Sequence, residues 1–280
     1  MAIGKAEKAA YNDEIKDIKV LIDNYQKQVK DATIKKKQSG NIKAYYCFEL
    51  VIYYIKVIEL YLKMSDISMD MLGIKNDASL NEARKGFYLV VQLLEEIVGS
   101  EIDRSLKAND EYLSFIDKFD PAQILRFIMK LHALFEDLNV KVGGVVESSD
   151  DDSKLMSGGS KWRWSFVELQ ARVAVITKNI TNFSDVAKLR DPRTPFYKER
   201  KALMSLAMDS LNEAAKQYRA KYELAGKARD DMKKTLELLS SLRKIHVLFG
   251  DTEEASKLKN VIDAGKQALE SEDKDKKKKK

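Results

Sequence analysis

The stretch from Thr194 to Leu239, TPFYKERKALMSLAMDSLNEAAKQYRAKYELAGKARDDMKKTLELL, decides the fold class. Met204, Met208, Leu211, Ala215, Tyr218, Tyr222, Ala225, Arg229, Met232, Leu236 and Leu239 follow one another in steps of four and three, and only Arg229 is not apolar. Such steps gather side chains on one side of an α-helix, ready to pack against a neighbour. Thr194-Pro195 supplies a capping residue and a first-turn proline. The spacing predicts a single very long helix over about 196–248, roughly 80 Å long at the α-helical rise. Gly226 marks where it would bend, and Gly250-Asp251 closes it. A last helix then carries Ala255, Leu258, Ile262 and Leu269.

The same period recurs upstream. Ile15, Ile18, Ile22, Tyr25 and Val29 form one stripe; Leu80, Ala83, Phe87, Val90, Leu94 and Ile97 form another; Phe166, Leu169, Val173, Ile176, Ile180 and Phe183 form a third. No comparable stretch alternates with a period of two, so the fold class is all-α. Gly40-Asn41 separates a helix over about 6–38 from one over about 42–64. Asp77 opens a third, Gly99-Ser100 precedes a fourth, and Asp120-Pro121 opens a fifth with Asp as N-cap. Residues 143–160, GGVVESSDDDSKLMSGGS, break every pattern and read as a flexible Gly/Ser/Asp linker. The expected organisation is two elongated bundles, 1–142 and 161–270, joined at that linker. Residues 271–280 form a disordered lysine-rich tail.

Composition removes several classes. Lys and Arg number 50 against 44 Asp and Glu, a balance of +6, but five of those charges are Lys276–Lys280. The body is close to neutral, which argues against a specific nucleic-acid binder. At 44% apolar residues the chain can build a core. Three prolines and twelve glycines are few for a turn-rich β-fold, and one cysteine excludes a disulfide scaffold. The opening MAIGKAEKAA is polar, so an exported protein would have lost its leader from this numbering. The run Tyr45–Leu62, YYCFELVIYYIKVIELYL, is the most apolar, but Glu49, Lys56 and Glu59 lie inside it. With Lys63 they fall on one face, the mark of a central bundle helix with one edge in water rather than a transmembrane span.

No catalytic, metal or cofactor constellation is visible, and an enzyme or a small-molecule substrate is not expected. His132 and His246 stand alone in apolar contexts, without the HExxH or Glu-x-x-His spacing that ligates metals. Cys47 lies between Tyr46 and Phe48 as a small hydrophobe. Gly143-Gly144 and Gly158-Gly159 fit no phosphate loop, and Asp150–Asp152 lacks the spacing of a calcium loop. Three features suit recognition of a partner. Trp162, Arg163 and Trp164 are residue types that concentrate at interface hot spots; beside the linker they would dock a partner or, equally, wedge the tryptophans into the junction between the bundles. Tyr45, Tyr53 and Tyr54 join an apolar body to a polar tip. Lys276, Lys277, Lys278, Lys279 and Lys280 attract any anionic surface in a salt-sensitive way.

Short helices over 6–142, the linker, a long helix from about 196 and the lysine-ended tail together resemble the flagellar-coiling proteins, coat components of the periplasmic flagellar filament of spirochaetes. The resemblance implies an exported, V-shaped helical protein. It would pack laterally on a flagellin core, against other coat proteins and copies of itself, and curve the filament. A second reading is a cytoplasmic, tetratricopeptide-like adaptor binding one protein partner. Gly250-Asp-Thr-Glu-Glu-Ala and Asn212-Glu-Ala-Ala-Lys-Gln-Tyr have the flavour of such repeats, but the 34-residue period is not visible. A membrane-bending helical dimer would need a basic face that the near-neutral body lacks.

Overall fold

The computed structural model describes residues 4–106, 115–143 and 162–278. Among these residues all regular structure is helical and no strand forms. The helices in chain order are α1 Lys5–Glu14, α2 Lys16–Gln38, α3 Lys43–Leu72, α4 Asp77–Val98, α5 Pro121–Val142, α6 Arg163–Ile180, α7 Phe183–Lys188, α8 Tyr197–Leu224, α9 Arg229–Phe249 and α10 Thr252–Lys278. The chain divides into two compact units. Unit 1 takes Met1–Ile97 and Leu131–Arg163, and unit 2 takes Val98–Lys130 and Trp164–Lys280. The sequence suggests two continuous segments, whereas residues 98–130 group with the C-terminal helices and the division falls inside α5. The proposed linker, including Asp150–Asp152, lies outside the described residues except for Gly143.

Unit 1 is organised on α3. Cys47, Val51, Ile55, Ile58 and Leu62 bury one flank of it, and Leu50, Val57 and Met64 bury another. Val57 and Met64 meet Tyr11, Ile15, Ile18 and Ile22 in one apolar cluster. The expected first helix, 6–38, is two helices, because Ile15 takes φ −88° and ψ 1° and interrupts the regular turn. Ile15 is nonetheless buried, so the stripe crosses the irregularity unbroken. Every member of the Leu80–Ile97 stripe on α4 is buried, and Phe87 lies 5.8 Å from the Phe135 ring on α5. Asn76 caps α4 by accepting from the Ser79 N–H at 3.0 Å, and its amide donates to the Tyr11 hydroxyl at 2.8 Å.

In unit 2, α6 is buried on all sides from Val173 to Ile180. The Asp120-Pro121 start of α5 is as the sequence reads. Asp120 Oδ1 accepts from the Gln123 N–H at 2.7 Å, and Gln123 Oε1 accepts from the Asp120 N–H at 3.0 Å, a reciprocal capping box. The predicted 196–248 helix is corrected to a hairpin of α8 and α9. Gly226 has φ +94°, and the Lys227 N–H reaches back to the Tyr222 carbonyl at 3.0 Å, so a left-handed C-cap ends α8 where a bend was expected. The seven-residue rhythm survives the break: Leu211, Ala215, Tyr218 and Tyr222 on α8 and Met232, Leu236 and Leu239 on α9 are all buried. Gly250, at φ +79°, repeats the device between α9 and α10. Thr194 is not the cap of α8, which starts two residues beyond Pro195 after Phe196, a residue in the left-handed region. The 271–280 tail, expected to be disordered, continues α10 as backbone to Lys278, since SEDKDKKK contains no helix breaker.

Candidate interaction site

Two buried flanks leave α3 a narrow third edge, and this edge is not the purely charged stripe that the sequence suggests. Ile42 at the turn into α3, Tyr45, Glu49, Ile52 and Lys56 succeed one another in steps of three and four on that edge. Ile42 is 56% exposed, Tyr45 58% and Ile52 38%. Tyr46 stands edge-on to Tyr45 with ring centres 5.4 Å apart. Beside the stripe, the Tyr53 hydroxyl donates to Glu49 Oε1 at 2.9 Å, and its ring lies 6.4 Å from that of Tyr25 on α2. The Glu49 hydrogen bond, with some burial, raises the Tyr53 phenol above its ordinary range. The other oxygen of Glu49 is shielded from solvent without a partner. Lys56 pairs with Glu59 at 3.3 Å. Of the three predicted tyrosines, Tyr45 and Tyr53 therefore share this edge. Tyr54, a further ~100° round the helix, is half-buried, and burial raises its phenol.

The predicted tryptophan cluster is divided. Trp162 belongs to unit 1 and Trp164 to unit 2, both half-buried. The Arg84 guanidinium of α4 lies 3.8 Å from the centre of the Trp162 ring and also donates to Asn81 Oδ1 at 3.1 Å. Both partners of this cation–π contact belong to unit 1. The side chains of Arg163 and of Lys276, Lys277, Lys278, Lys279 and Lys280 lie outside the described residues.

Cys47 is buried, its Sγ 3.9 Å from Glu96 Oε2, and burial pushes the thiol up, away from nucleophilic thiolate. Glu96 receives Lys36 at 2.6 Å and Lys43 at 2.8 Å; burial works to raise its carboxyl, but these bonds outweigh it and hold the pKa low. Burial lowers His132 to about 4. His246 Nδ1 lies 2.8 Å from Oδ2 of Asp251, the residue just before α10, whose Oδ1 accepts from the Glu254 N–H at 3.3 Å. Among the described residues no three His, Cys, Asp or Glu side chains are grouped to hold a metal, and no helix is long and apolar enough to cross a membrane.

One feature of unit 2 escapes a reading by stripes. Thr177, Lys178, Asn179 and Thr181 are all buried near the end of α6. Lys178 Nζ donates to the carbonyls of Ile102 at 3.0 Å and Arg104 at 3.3 Å, and Asn179 Nδ2 donates to those of Gly99 at 3.0 Å and Glu101 at 3.4 Å. Arg104 turns back onto the Val98 carbonyl, and Lys244 of α9 pairs with Asp103. Two side chains therefore fix the irregular segment 99–106 through its carbonyls. Burial, with a smaller contribution from Arg104, lowers Lys178 to about 8. The sequence signal is Thr-Lys-Asn standing inside the apolar run Val173–Ile180.

Comparison with curated proteins and with solved structures finds no match. The model of the TP0443 family, named from the spirochaete Treponema, matches residues 7–273, nearly the whole chain, and the protein belongs to that family.

Proposed function

We propose that this is a non-enzymatic structural protein that coats a spirochaete flagellar filament, packing laterally on a flagellin core, on other coat proteins and on copies of itself. The supporting observation is the α3 edge. Ile42 at the turn into α3 and Tyr45 and Ile52 on it are exposed at helical spacing, interleaved with Glu49 and Lys56, on the most apolar helix among the described residues. Such an edge suits a partner helix laid alongside it, with apolar anchors setting affinity and interleaved charges of both signs setting register. Membership of a spirochaete-named family and the near-neutral body favour the same reading, because coat subunits crowd together with little mutual repulsion. The location that goes with it is the periplasmic flagellum.

The test is made in a spirochaete that carries the protein. Deletion is expected to straighten the filaments and impair motility, and tagged protein to decorate the filament continuously in cryo-tomograms. A double variant, Tyr45→Glu with Ile52→Glu, is expected to fold but leave the filament. Curved filaments after deletion defeat the proposal. A diffuse signal with one soluble, saturable partner supports the helical adaptor instead.

A further inference from the structure

The α3 edge carries a symmetry of its own, centred on Ile52. Tyr45 stands seven residues before Ile52 and Glu59 seven after it; Glu49 stands three before and Lys56 four after. At 3.6 residues per turn all four lie within about 60° of Ile52 round the helix, so the five share one strip. The strip is open to solvent along its length. Tyr45 is 58% exposed and Ile52 38%, and the side chains of Lys56 and Glu59 are 45% and 36% exposed. Turning the strip end for end about Ile52 exchanges unlike groups. Tyr45 changes places with Glu59, a hydroxyl donor with a carboxylate acceptor. Glu49 comes within about 1.5 Å of the height of Lys56, an anion beside a cation. In a parallel pair each group meets itself instead, with Glu49 on Glu49, Lys56 on Lys56 and Glu59 on Glu59, and like charges oppose the contact.

We propose that the α3 edge binds the same edge of a second copy of this chain, the two helices antiparallel about a two-fold axis at Ile52. Such a contact is isologous, with each residue meeting its exchange partner on the other copy. Ile52 packs on its own counterpart at the centre, which removes both side chains from water. On either side the Tyr45 hydroxyl donates to the Glu59 carboxylate of the other copy. The Lys56 ammonium, already 3.3 Å from its own Glu59, comes alongside the other copy's Glu49. Glu49 Oε1 is held by the Tyr53 hydroxyl and Oε2 is shielded, so Lys56 acts on the charge of that carboxylate at Coulombic range and not through the shielded oxygen. From Tyr45 to Glu59 the strip is only about 21 Å long. The contact is therefore small, with an expected Kd between about 1 μM and 1 mM. The proposal deepens the coat reading, on which it rests for taking this edge as a docking face, and it assigns the edge to copies of the chain rather than to flagellin.

Full-length protein is followed by sedimentation velocity over a concentration series reaching about 1 mM, where a reversible monomer–dimer equilibrium is expected. Lys56→Glu combined with Glu59→Lys keeps the ion pair inside the helix but sets an acid beside the other copy's Glu49 and an ammonium against Tyr45. The pair is expected to weaken association at least tenfold with the circular dichroism spectrum unchanged. Ile52→Cys reads the axis: under mild oxidation it is expected to form a disulfide-linked dimer. Tyr45→Cys is not, because antiparallel copies hold the two 45 positions about 21 Å apart. The parent, whose single Cys47 is buried, supplies the background. A chain that stays monomeric throughout, full association of the folded double variant, or Tyr45→Cys that crosslinks as well as Ile52→Cys overturns the proposal. Should the double variant not fold, the two cysteine variants decide. Filament association is scored separately. A dimer that never joins filaments defeats the coat reading and leaves this one standing, whereas a strict monomer that still decorates them does the reverse.

Discussion

Unit 1 and unit 2 are each built around a helix buried on most sides, α3 in one and α6 in the other, yet they place polar groups differently. Around α3 the ion pairs stay at the rim: Lys36 and Lys43 on Glu96, and Lys141 on Asp66 and Asp137. The interior is filled by Val51, Ile55, Ile58, Phe87 and Leu94. Around α6, a lysine and an asparagine enter the interior and find their acceptors on a segment without helical structure of its own. A helix surrounded on all sides tolerates buried donors when a neighbouring chain segment has carbonyls to spare. That segment is then fixed by directional bonds rather than by apolar area. Unit 1 is expected to be sensitive to lost volume, and unit 2 to lost donors.

The largest expected effect tests unit 1. Phe87 is fully buried, so Phe87→Ala is expected to destabilise the protein by about 3–5 kcal/mol through lost transfer energy and a residual cavity. Hydrogen exchange is expected to quicken first in α3 and α4. Equal quickening in α6 and the 99–106 segment would erase the distinction between the units.

Charge gives the next largest effect, and in alkali it takes opposite signs in the two units. His132, in unit 1, titrates near 4 in the folded protein against an ordinary 6.5. As pH falls through that interval the unfolded chain takes up a proton that the folded chain refuses, so stability drops by on the order of 3 kcal/mol. Lys178, in unit 2, titrates near 8 against an ordinary 10.5. Between those values the unfolded chain again holds the extra proton, so unit 2 gains stability as pH rises, by on the order of 3 kcal/mol. Tyr53, Tyr54 and Tyr61 of unit 1 are raised by the Glu49 hydrogen bond in the first case and by burial in the others, so unit 1 instead loses stability above about pH 10. Acid is expected to open unit 1 first, and alkali to strengthen only unit 2. The direct check is nuclear magnetic resonance: a lysine amine titrating near 8 and a histidine ring near 4. A Lys178 signal titrating at 10.5 removes the contrast.

Asn179→Ala follows in size. It leaves the Gly99 and Glu101 carbonyls without their donor, an expected loss of about 1–3 kcal/mol. Exchange in 99–106 is expected to rise, with unit 1 peptides unchanged. An unaltered 99–106 segment would show that packing alone holds it.

How much of this was legible in the sequence follows from what each signal measures. Stripe arithmetic identifies buried faces: all six members of the Leu80–Ile97 row and all six of the Phe166–Phe183 row are buried. It does not count helices, because a left-handed cap at Gly226 preserves the seven-residue rhythm across a reversal of direction. The α3 edge was half legible. Its charged residues were evident, but the exposure of Ile42, Tyr45 and Ile52 depends on where α2 and α4 pack, which period alone does not fix. Trp162 was singled out by residue type and by its place beside the linker, whereas its stacking partner Arg84 lies 78 positions away in sequence, beyond the reach of spacing. The 99–106 clasp was illegible for the same reason, since its donors and acceptors come from distant segments.

The smallest effect makes the finest comparison. Each unit has a glycine inside a helix at a close approach: Gly86 of α4 against Ile58 of α3, and Gly265 of α10 against Leu236 of α9. A Cβ at Gly86 would sit 3.0 Å from Ile58 Cγ1, and one at Gly265 only 2.7 Å from Leu236 Cδ2. Distance alone ranks Gly265→Ala as the worse change; the atoms involved reverse that order. Leu236 Cδ2 is the tip of a flexible side chain that keeps slight exposure, so a rotation relieves the clash. Ile58 is completely buried and its β-branched carbon is restricted to few rotamers, so relief requires α3 and α4 to part. Alanine contributes up to about 1 kcal/mol of helix propensity at both sites. Gly265→Ala is therefore expected to lie within about 0.5 kcal/mol of the parent. Gly86→Ala is expected to lose about 1 kcal/mol or more despite the propensity gain, because overpacking a closed core carries ~1–3 kcal/mol of strain. Denaturant midpoints measured at constant m-value decide it. The reverse order would mean that α3 and α4 yield more readily than α9 and α10, and that unit 1 is not the more tightly packed of the two.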